Sequence, residues 1–507
     1  MKYKKTACIV LLLLVCITQV NAQTDIPYTI SKQTIKIDNN GDATVDVSYG
    51  PLPLSTYNLV VNAFKPNPAM LTRSFERATD RELTTIQMPV FDDMNRLIKF
   101  KWKITGYAKI VDEYENRDVW EINIPENSIF VISKDNLFVF AAPSIDPLTK
   151  DVMIEIYNVI LPANSVNAEY NKRIGTLSYE LASPTEHGRP KLTIDLKCKD
   201  EIMPAIYKVY GKPELKYWLA KTIIKHEGGD TIYNVKISYK LGKYMDWTLN
   251  NIYYKLVPNQ TIVDVLYPCL SSEITKITTE TPAILQVKIN YEINGKEYEK
   301  IKSYRLSILG INDVVYSDLP PNEISGWYDA FENYWVLAAF VTPNEKTLNK
   351  FAKDATRGIG SALSDDNAIS AMEAIYNAIC NEGIGYITEP PAFWSGKVTK
   401  QYVQYPKDTL DRKAGTCIDL AILYASACEA VGLRAYIALV PGHAFPIIEL
   451  PESGQWVPVE MTGVPDTSFD DAWDYGVREY NEYIANGYNY YLIDIQELWK
   501  EGVTPPW

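Results

Sequence analysis

Three side chains in the C-terminal part of the chain have the types and the order of a thiol-based catalytic set. Cys417 stands at the start of an apolar stretch, His443 follows 26 residues later, and Glu460 follows 17 residues after that. A cysteine thiolate attacks a carbonyl carbon, an imidazole transfers the proton, and a carboxylate fixes the imidazole tautomer and stabilises its cation. These residue types therefore indicate acyl transfer through Cys417, with His443 as the base and Glu460 as the orienting acid.

The other two histidines of the chain lie in segments whose composition is typical of loops. His187 lies within the turn-like segment Pro184–Pro190, and His226 precedes a Gly228-Gly229 pair. His443 instead enters an apolar run, which is typical of a strand. It is therefore the candidate base.

The residues around Cys417 predict the start of a helix. Thr416 is a typical N-cap and Asp419 follows three residues later, which is a capping-box spacing, so Cys417 becomes the first helical residue and Gly432 marks the end. The free amides and positive dipole end of such a helix stabilise a thiolate and could also hold an oxyanion. The alternative is that Cys417 is a small buried apolar residue, the interpretation we give to Cys380 and Cys428.

Two acids could orient His443. The segment Gln455–Thr462 is typical of a strand, and it would place Glu460 beside the histidine strand. Glu449 lies six residues beyond His443 on the same predicted strand, about 20 Å away at 3.3 Å per residue. The sequence therefore favours Glu460 over Glu449.

The motifs around these residues resemble those of the transglutaminase-like superfamily of papain-related cysteine enzymes. That pattern has a basic residue and a glycine before the cysteine, an aspartate two residues after it, a helix followed by Gly-Leu-Arg-Ala, then His-Ala-aromatic and Trp-Val-x-Val-acid-x-Thr. Its matches here are Arg412, Gly415, Cys417, Asp419, Gly432–Ala435, His443–Phe445 and Trp456–Thr462. The resemblance implies an α+β transglutaminase-like or papain-like domain over residues 316–507, with a Cys417 nucleophile, a His443 base and a Glu460 acid.

Two positions depart from the pattern of this superfamily. Glu460 stands where aspartate is commoner, and Pro446 follows the aromatic residue where the family continues a strand. Gln404 and Tyr405 are candidate oxyanion donors, and Trp394 is a candidate wall of the cleft. With three histidines, no closely spaced cysteine pair and no glycine-rich phosphate loop, the sequence predicts neither a metal nor a cofactor.

The remainder of the chain is patterned as β structure. Alternating runs flank Asn40-Gly41 and Asn294-Gly295, which are typical hairpin turns. Strand patterning continues to about residue 315, after which apolar residues recur at helical spacing. We therefore predict a multidomain chain with a β-rich sandwich domain at 24–204, an immunoglobulin-like β-sandwich domain at 205–315 and the α+β domain at 316–507.

The first 22 residues are typical of an export signal. Lys2, Lys4 and Lys5 precede the apolar stretch Ala7–Val20, which is too short to span a membrane, and a small-residue cleavage site follows. Lipid anchoring at Cys16 is the less favoured alternative because bulky Val15 precedes it. The sequence thus predicts a periplasmic or extracellular protein with no transmembrane segment after leader cleavage.

The net charge limits the kinds of binding partner, and the cysteine content bears on disulfide bonding. The net charge is −13, and it becomes −16 without the three leader lysines, which argues against nucleic acid and for a neutral or cationic substrate. The five cysteines left after leader cleavage are sparse and odd in number, so they do not form a disulfide scaffold.

We therefore predict an exported cysteine enzyme whose substrate is a protein, a peptide or a cell-surface polymer. Hydrolysis of peptide or isopeptide bonds is favoured over protein crosslinking, because an exported thiol enzyme meets water everywhere. Two other interpretations stay open. One is a non-catalytic binding protein that keeps the fold as a scaffold, and the other is a sugar-binding sandwich, indicated by the 36 tyrosines.

Overall fold

The computed structural model describes residues 29–77, 79–145, 152–184, 186–324, 326–388, 400–486 and 489–507. The chain is multidomain and rich in β-sheet, and it divides into two compact units. The first runs up to Phe75 and resumes over Leu83–Ser183, and the second combines Glu76–Glu82 with Pro184–Trp507.

The first unit contains a seven-stranded and a four-stranded sheet, ordered β3-β4-β2-β1-β9-β8-β7 and β10-β11-β6-β5. Its large buried side chains include Trp120, Phe140 and Tyr179. The elements from its start to Ala182 are β1 (Thr29–Ile37), β2 (Ala43–Tyr49), α1 (Leu54–Phe64), α2 (Pro68–Arg77), β3 (Glu82–Asp92), β4 (Leu97–Thr105), β5 (Lys109–Tyr114), β6 (Arg117–Asn123), β7 (Ile129–Lys134), β8 (Leu137–Ile145), β9 (Val152–Ile160), β10 (Val166–Asn171) and β11 (Thr176–Ala182).

The second unit begins with two facing antiparallel sheets, ordered β12-β14-β17 and β13-β19-β18-β15-β16, in which only the short β13 joins its neighbour in parallel. Tyr239 joins them, because its hydroxyl donates to the buried carboxylate of Asp264 on the opposite sheet, at 2.6 Å. The elements are β12 (Leu192–Cys198), β13 (Glu201–Ile202), β14 (Ala220–His226), β15 (Ile232–Leu241), β16 (Asn251–Leu256), β17 (Thr261–Leu266), β18 (Thr281–Ile293) and β19 (Lys296–Ile308). The next strand, β20 (Asp313–Val315), lies in neither sheet.

Two sequence expectations can be compared directly with this sandwich. Asn294 and Gly295 form the expected two-residue hairpin turn, and both have positive φ angles (48° and 75°), as a type I′ turn requires. The domain bounds at residues 204 and 315 stay predictions, and the contacts divide the chain into two units at Ser183–Pro184. Leu192–Cys198 pairs with Ala220–His226, so this strand lies in the second unit, which begins at Pro184.

The rest of the second unit is an α+β arrangement around a four-stranded antiparallel sheet, ordered β26-β25-β24-β27. Its elements are α3 (Trp327–Ala330), α4 (Lys346–Ala355), α5 (Asp365–Asn381), β21 (Gly385–Tyr386), β22 (Lys400–Tyr402), α6 (Pro406–Arg412), β23 (Ala414–Gly415), α7 (Cys417–Ala430), β24 (Arg434–Val440), β25 (His443–Glu449), β26 (Trp456–Pro458), α8 (Phe469–Glu479), β27 (Tyr491–Asp494) and α9 (Ile495–Glu501). A π-helical turn, Tyr480–Ala485, extends α8.

Helix α7 is the centre of this arrangement. Every residue from Ile418 to Cys428 is buried, and the helix packs against β24, β25, α4 and α5. An apolar sequence without a polar face can be helical only where other elements cover it on all sides. Gly432 then ends the segment with a φ of +91°. The N-terminal residue of α7 is thus held by a rigid support.

Candidate active site

Cys417 is the first residue of α7, as the sequence predicts, and it is only partly buried although the helix behind it is enclosed. The Asp419 carboxylate accepts hydrogen bonds from the Thr416 backbone N–H and hydroxyl, both at 3.0 Å. The backbone N–H groups of Cys417 and Ile418 belong to the first turn, where an α-helix offers them no internal partner. They are therefore available to an anion beside the thiol.

Gln404 holds Asp419 from the other side. Its backbone N–H and its Nε2 donate to the two carboxylate oxygens at 2.7 and 3.0 Å, and Nε2 also donates to the Ala414 carbonyl at 3.2 Å. Burial raises the pKa of the Asp419 carboxyl, although these bonds oppose the shift. Because both amide hydrogens of Gln404 are used, the geometry gives this side chain a role in anchoring α7, not the expected oxyanion role.

Tyr405, the second expected oxyanion donor, is buried in the core. Its ring packs between Phe340 and Trp507, with centroid distances of 4.7 and 4.5 Å. Its hydroxyl is buried and has no hydrogen-bond partner among the described residues. The contacts of Tyr405 are thus those of a packing residue. Trp394, the expected cleft wall, lies outside the described residues.

His443 is the first residue of β25 and lies between the other two candidate residues. Its Nε2 is 2.6 Å from a carboxylate oxygen of Glu460, and its ring lies close enough to Cys417 for that side chain to affect the pKa of the imidazole. Burial alone would lower the pKa of the imidazole, but the bonds and charges of Cys417 and Glu460 outweigh it and raise the pKa to about 10. The structure therefore brings the three sequence-predicted residues together around one imidazole.

Glu460 is fixed by the residues that follow it. Its second carboxylate oxygen accepts from the Thr462 backbone N–H at 2.6 Å and from the Thr462 hydroxyl at 2.5 Å. Burial acts to raise the pKa of Glu460, but its bonds with His443 and Thr462 and the charge of His443 prevail and hold the pKa below its ordinary value. The carboxylate thus stays charged and keeps one oxygen for the imidazole.

The strand that carries Glu460 is shorter than the sequence indicates. β26 ends at Pro458, which has no N–H to continue the ladder, and Glu460 lies two residues beyond it. Pro446, the other departure from the family pattern, does not interrupt its strand: β25 runs through it, and its carbonyl accepts from the Val459 N–H at 3.0 Å. This bond aligns the segment before Glu460 with the histidine strand.

Glu449, the rival acid, is engaged elsewhere. Its carboxylate accepts from the Tyr436 hydroxyl and lies 3.7 Å from the Arg434 guanidinium. These partners lie at the far end of the β24–β25 pair from His443, where Arg434 pairs with Glu449. The carboxylate of Glu449 therefore bonds away from His443, whereas that of Glu460 lies against the imidazole.

Helix α8 is the part of the site that the sequence does not indicate. The Ala472 carbonyl accepts from the Glu460 N–H at 2.9 Å, and Gly476 lies directly against the end of β26. A Cβ on Gly476 would come within 2.4 Å of the Pro458 carbonyl oxygen. The sequence feature that could have revealed this contact is a glycine within a helical pattern. Such a glycine usually has a packing reason.

Strand β21 pairs with the segment that precedes Cys417. Tyr386 lies opposite Gly415, two residues before the nucleophile, and the Ile387 N–H donates to the Gly415 carbonyl at 2.9 Å. The side chains of Tyr386 and Ile387 are 39% and 48% exposed. They offer an apolar surface next to Cys417.

Metal sites, membrane-spanning helices and disulfides are further features that could define a function. Within the described parts of the chain, no three or more His, Cys, Asp or Glu side chains are grouped so as to hold a metal ion. None of the helices described is both long and apolar enough to cross a bilayer. The cysteines Cys198, Cys269, Cys380, Cys417 and Cys428 are all unpaired.

Comparisons with known proteins add little to this geometry. No protein-family profile and no curated protein matches the sequence. Among solved structures, a "putative protease" from Parabacteroides distasonis matches over 85% of this chain and 66% of its own length, with 9% identity and a TM-score of 0.19. Likeness at this level does not identify a family.

Proposed function

We propose that this chain is a cysteine enzyme that cleaves amide bonds by acyl transfer through Cys417, in the manner of the transglutaminase-like superfamily. The observation that carries the proposal is the position of the His443 imidazole, which lies 2.6 Å from the Glu460 carboxylate and close enough to Cys417 for that side chain to raise the imidazole pKa. A thiol at a helix N-terminus with a base and an orienting acid in contact is the arrangement that nucleophilic catalysis requires. The scaffold and sugar-binding interpretations do not account for that convergence.

In the first half of the reaction the Cys417 thiolate attacks the carbonyl carbon of the amide. The carbon–sulfur bond forms, and the carbonyl oxygen takes up the negative charge beside the N–H groups of Cys417 and Ile418. His443, as imidazolium, gives its proton to the amide nitrogen, the carbon–nitrogen bond breaks, and the amine leaves. A thioester on Cys417 remains.

In the second half, neutral His443 takes a proton from a water molecule that attacks the thioester carbon. The carbon–sulfur bond breaks, the carboxylic acid leaves, and the thiolate and imidazolium are restored. Glu460 stays ionised throughout, because its low pKa and its bonds with Thr462 disfavour its protonation. An amine in place of water would give crosslinking instead.

Alkylation of Cys417 tests the proposal. Iodoacetamide near neutral pH should label Cys417 faster than Cys380 or buried Cys428, and Cys417→Ala should remove both the fast label and all amide cleavage. His443→Ala should slow the labelling. Equal labelling of the three thiols, or cleavage that survives in Cys417→Ala, would refute the proposal.

A second experiment identifies whether water or an amine accepts the acyl group from the Cys417 thioester. A panel of peptide amides incubated with and without added primary amine should give carboxylic acid products in both conditions. Amine-linked products in place of acids would assign the chain to the crosslinking enzymes.

Export remains a proposal as well, because the leader lies outside the described residues. Expression of the full chain in a bacterial host, followed by fractionation and N-terminal sequencing, should give a non-cytoplasmic protein that begins at Gln23. A lipid-modified product beginning at Cys16, or an uncleaved one, would contradict it.

A further inference from the structure

The first turn of α7 is held in place by a residue outside the helix. The Asp419 carboxylate is almost fully buried, and it accepts hydrogen bonds from the backbone N–H and the side chain of both Thr416 and Gln404. A buried carboxylate is stable only where such bonds replace its hydration. The placement of the turn that begins with Cys417 therefore depends on the position of Gln404.

The residue before Gln404 is bonded twice to Asn312. The Val403 N–H donates to the Asn312 backbone carbonyl at 2.8 Å, and the Asn312 Nδ2 donates to the Val403 carbonyl at 2.7 Å. Val403 is fully buried, so its backbone is shielded from water, and hydrogen bonds in such surroundings are strong. The two bonds together fix the position and the orientation of Val403 relative to Asn312.

A single peptide group connects Asn312 with the helix cap. The carbonyl of Val403 and the N–H of Gln404 belong to the same planar peptide unit. Its oxygen accepts from the Asn312 side chain and its nitrogen donates to the Asp419 carboxylate, at 2.7 Å in each case. Hydrogen bonds linked in this way polarise and strengthen one another. Because the unit is planar, it cannot turn away from Asn312 without also turning its N–H away from Asp419.

Asn312 itself is part of a turn that is tied to the sandwich. The turn lies between β19 and β20, and the Asp313 carboxylate accepts from the Gly310 N–H at 2.9 Å. The Ile311 N–H donates at 2.7 Å to the carbonyl of Ile277, which lies in the connection between β17 and β18. Asn312 therefore presents its amide from a fixed position at the end of the sandwich.

We propose that Asn312 is a positioning residue for the Cys417 nucleophile and acts through the peptide group that precedes Gln404. This inference rests on the proposed function, since it concerns the thiol of the same site. Loss of the Asn312 amide would let this peptide group turn and would lengthen its bond with Asp419. The N-terminal turn of α7 would then shift, and the thiol would be less well placed opposite His443.

The test measures amide cleavage and thiol reactivity of the full chain in Asn312→Ala and in Asn312→Asp, which both remove the amide donor. Because a displacement of a catalytic group by about 1 Å can lower the rate roughly 10²-fold, kcat should fall about 10-fold or more with little change in KM. Iodoacetamide near neutral pH should label Cys417 more slowly than in the wild type. The pKa of His443, measured by NMR titration, should fall, because the Cys417 side chain helps to raise it.

A double-mutant cycle with Asp419→Asn tests the path of this effect. If Asn312 acts through Asp419, Asn312→Ala should lower kcat far less in the Asp419→Asn background than in the wild type, because the effects of residues in one hydrogen-bond network are not additive. Equal effects in the two backgrounds would overturn the inference, since they would show that Asn312 acts independently of the cap.

Asn349→Ala is the matched control, because the Asn349 Nδ2 also donates to a backbone carbonyl in the same unit, that of Pro343, at 3.0 Å. This variant should keep the wild-type kcat, labelling rate and pKa of His443. If the Asn312 variants fail to fold, or lower only the melting temperature and leave these three quantities unchanged, the inference is overturned and the proposed function stands. If the wild type shows no cleavage that depends on Cys417, both proposals fail.

Discussion

His443 is the residue on which the candidate site depends, because its imidazole lies beside both other members. Without its partners a half-enclosed imidazole would be neutral near pH 7. Here the neighbouring side chains of Cys417 and Glu460 reverse that tendency. The carboxylate of Glu460 therefore sets the protonation state of the base as well as its orientation.

Replacing Glu460 by glutamine should lower kcat by roughly 10²–10⁴-fold, because the amide orients the imidazole poorly and does not stabilise its cation. The pKa of His443 should fall as well. NMR titration of the three histidine rings measures the second effect, and a Glu449→Gln variant is the control, because Glu449 pairs with Tyr436 and Arg434. Equal effects of the two variants would contradict the assignment.

The same pKa predicts how stability depends on pH. The pKa of His443 is about 10 in the folded chain, against about 6.5 when unfolded, so the folded state binds the proton more tightly. This stabilisation is complete below pH 6.5 and is lost as the pH rises to about 10. The free energy of unfolding of the wild type minus that of His443→Gln should fall by a few kcal/mol over that range, on the order of 1.4 kcal/mol per pKa unit. A constant difference in denaturant titrations would contradict it.

At the scale of elements, the site is assembled by the packing of α7, β25 and α8. α7 presents the thiol at its N-terminus, and β25 presents the imidazole at its first residue. The acid lies on an irregular segment after β26, and it relies on α8 for its position, through the bond from the Glu460 N–H to the Ala472 carbonyl.

Gly476→Ala should therefore impair catalysis from a distance. The added Cβ would meet backbone atoms of Pro458 and Val459 at 2.4 to 2.8 Å, so α8 must move and carry Glu460 with it. A displacement of a catalytic group by about 1 Å can lower the rate roughly 10²-fold. We therefore expect kcat to fall 10-fold or more. The pKa of His443, measured by NMR titration, should also fall.

Gly385→Ala is the matched control. No atom lies within 4 Å of a Cβ at that glycine, which has no positive φ. This variant should keep the wild-type kcat and His443 pKa. If Gly476→Ala only lowers the melting temperature and leaves the His443 titration unchanged, the supporting role of α8 is wrong.

At the scale of the whole molecule, the second unit has one continuous hydrophobic core that includes residues of the sandwich and of the α+β part. Strand β20 pairs with β22, and the Asn312 side chain donates to the Val403 carbonyl at 2.7 Å. The sandwich thus shares its interior with the candidate site, as parts of one folding unit do.

A fragment comprising residues 316–507 should therefore fail to fold independently. It lacks β20, and it would expose core residues that the sandwich covers. A fragment of residues 184–507 should give a cooperative thermal transition by circular dichroism, whereas 316–507 should not. A folded, active 316–507 fragment would show that the two parts are independent domains.

Residue types and their spacing predict the features that depend on near neighbours along the chain. The Thr416–Asp419 cap, the thiol at a helix start, the end at Gly432 and the Asn294-Gly295 turn all rest on hydrogen bonds and backbone angles within a few residues. Such local interactions are encoded by residue type and spacing, so they can be predicted from the sequence without the tertiary structure.

Which groups face each other across the fold depends on the packing of distant segments. In the folded chain the amide of Gln404 bonds Asp419, Tyr405 is enclosed in the core and Glu449 faces Arg434. Helix α8 contacts Pro458 through Gly476 and bonds the Glu460 backbone through Ala472. None of these contacts follows from a local pattern, because each joins elements whose approach is set by the packing of an entire core. The local sequence indicates which side chains can form a site, whereas the hydrogen-bond partners of their polar atoms depend on the whole fold.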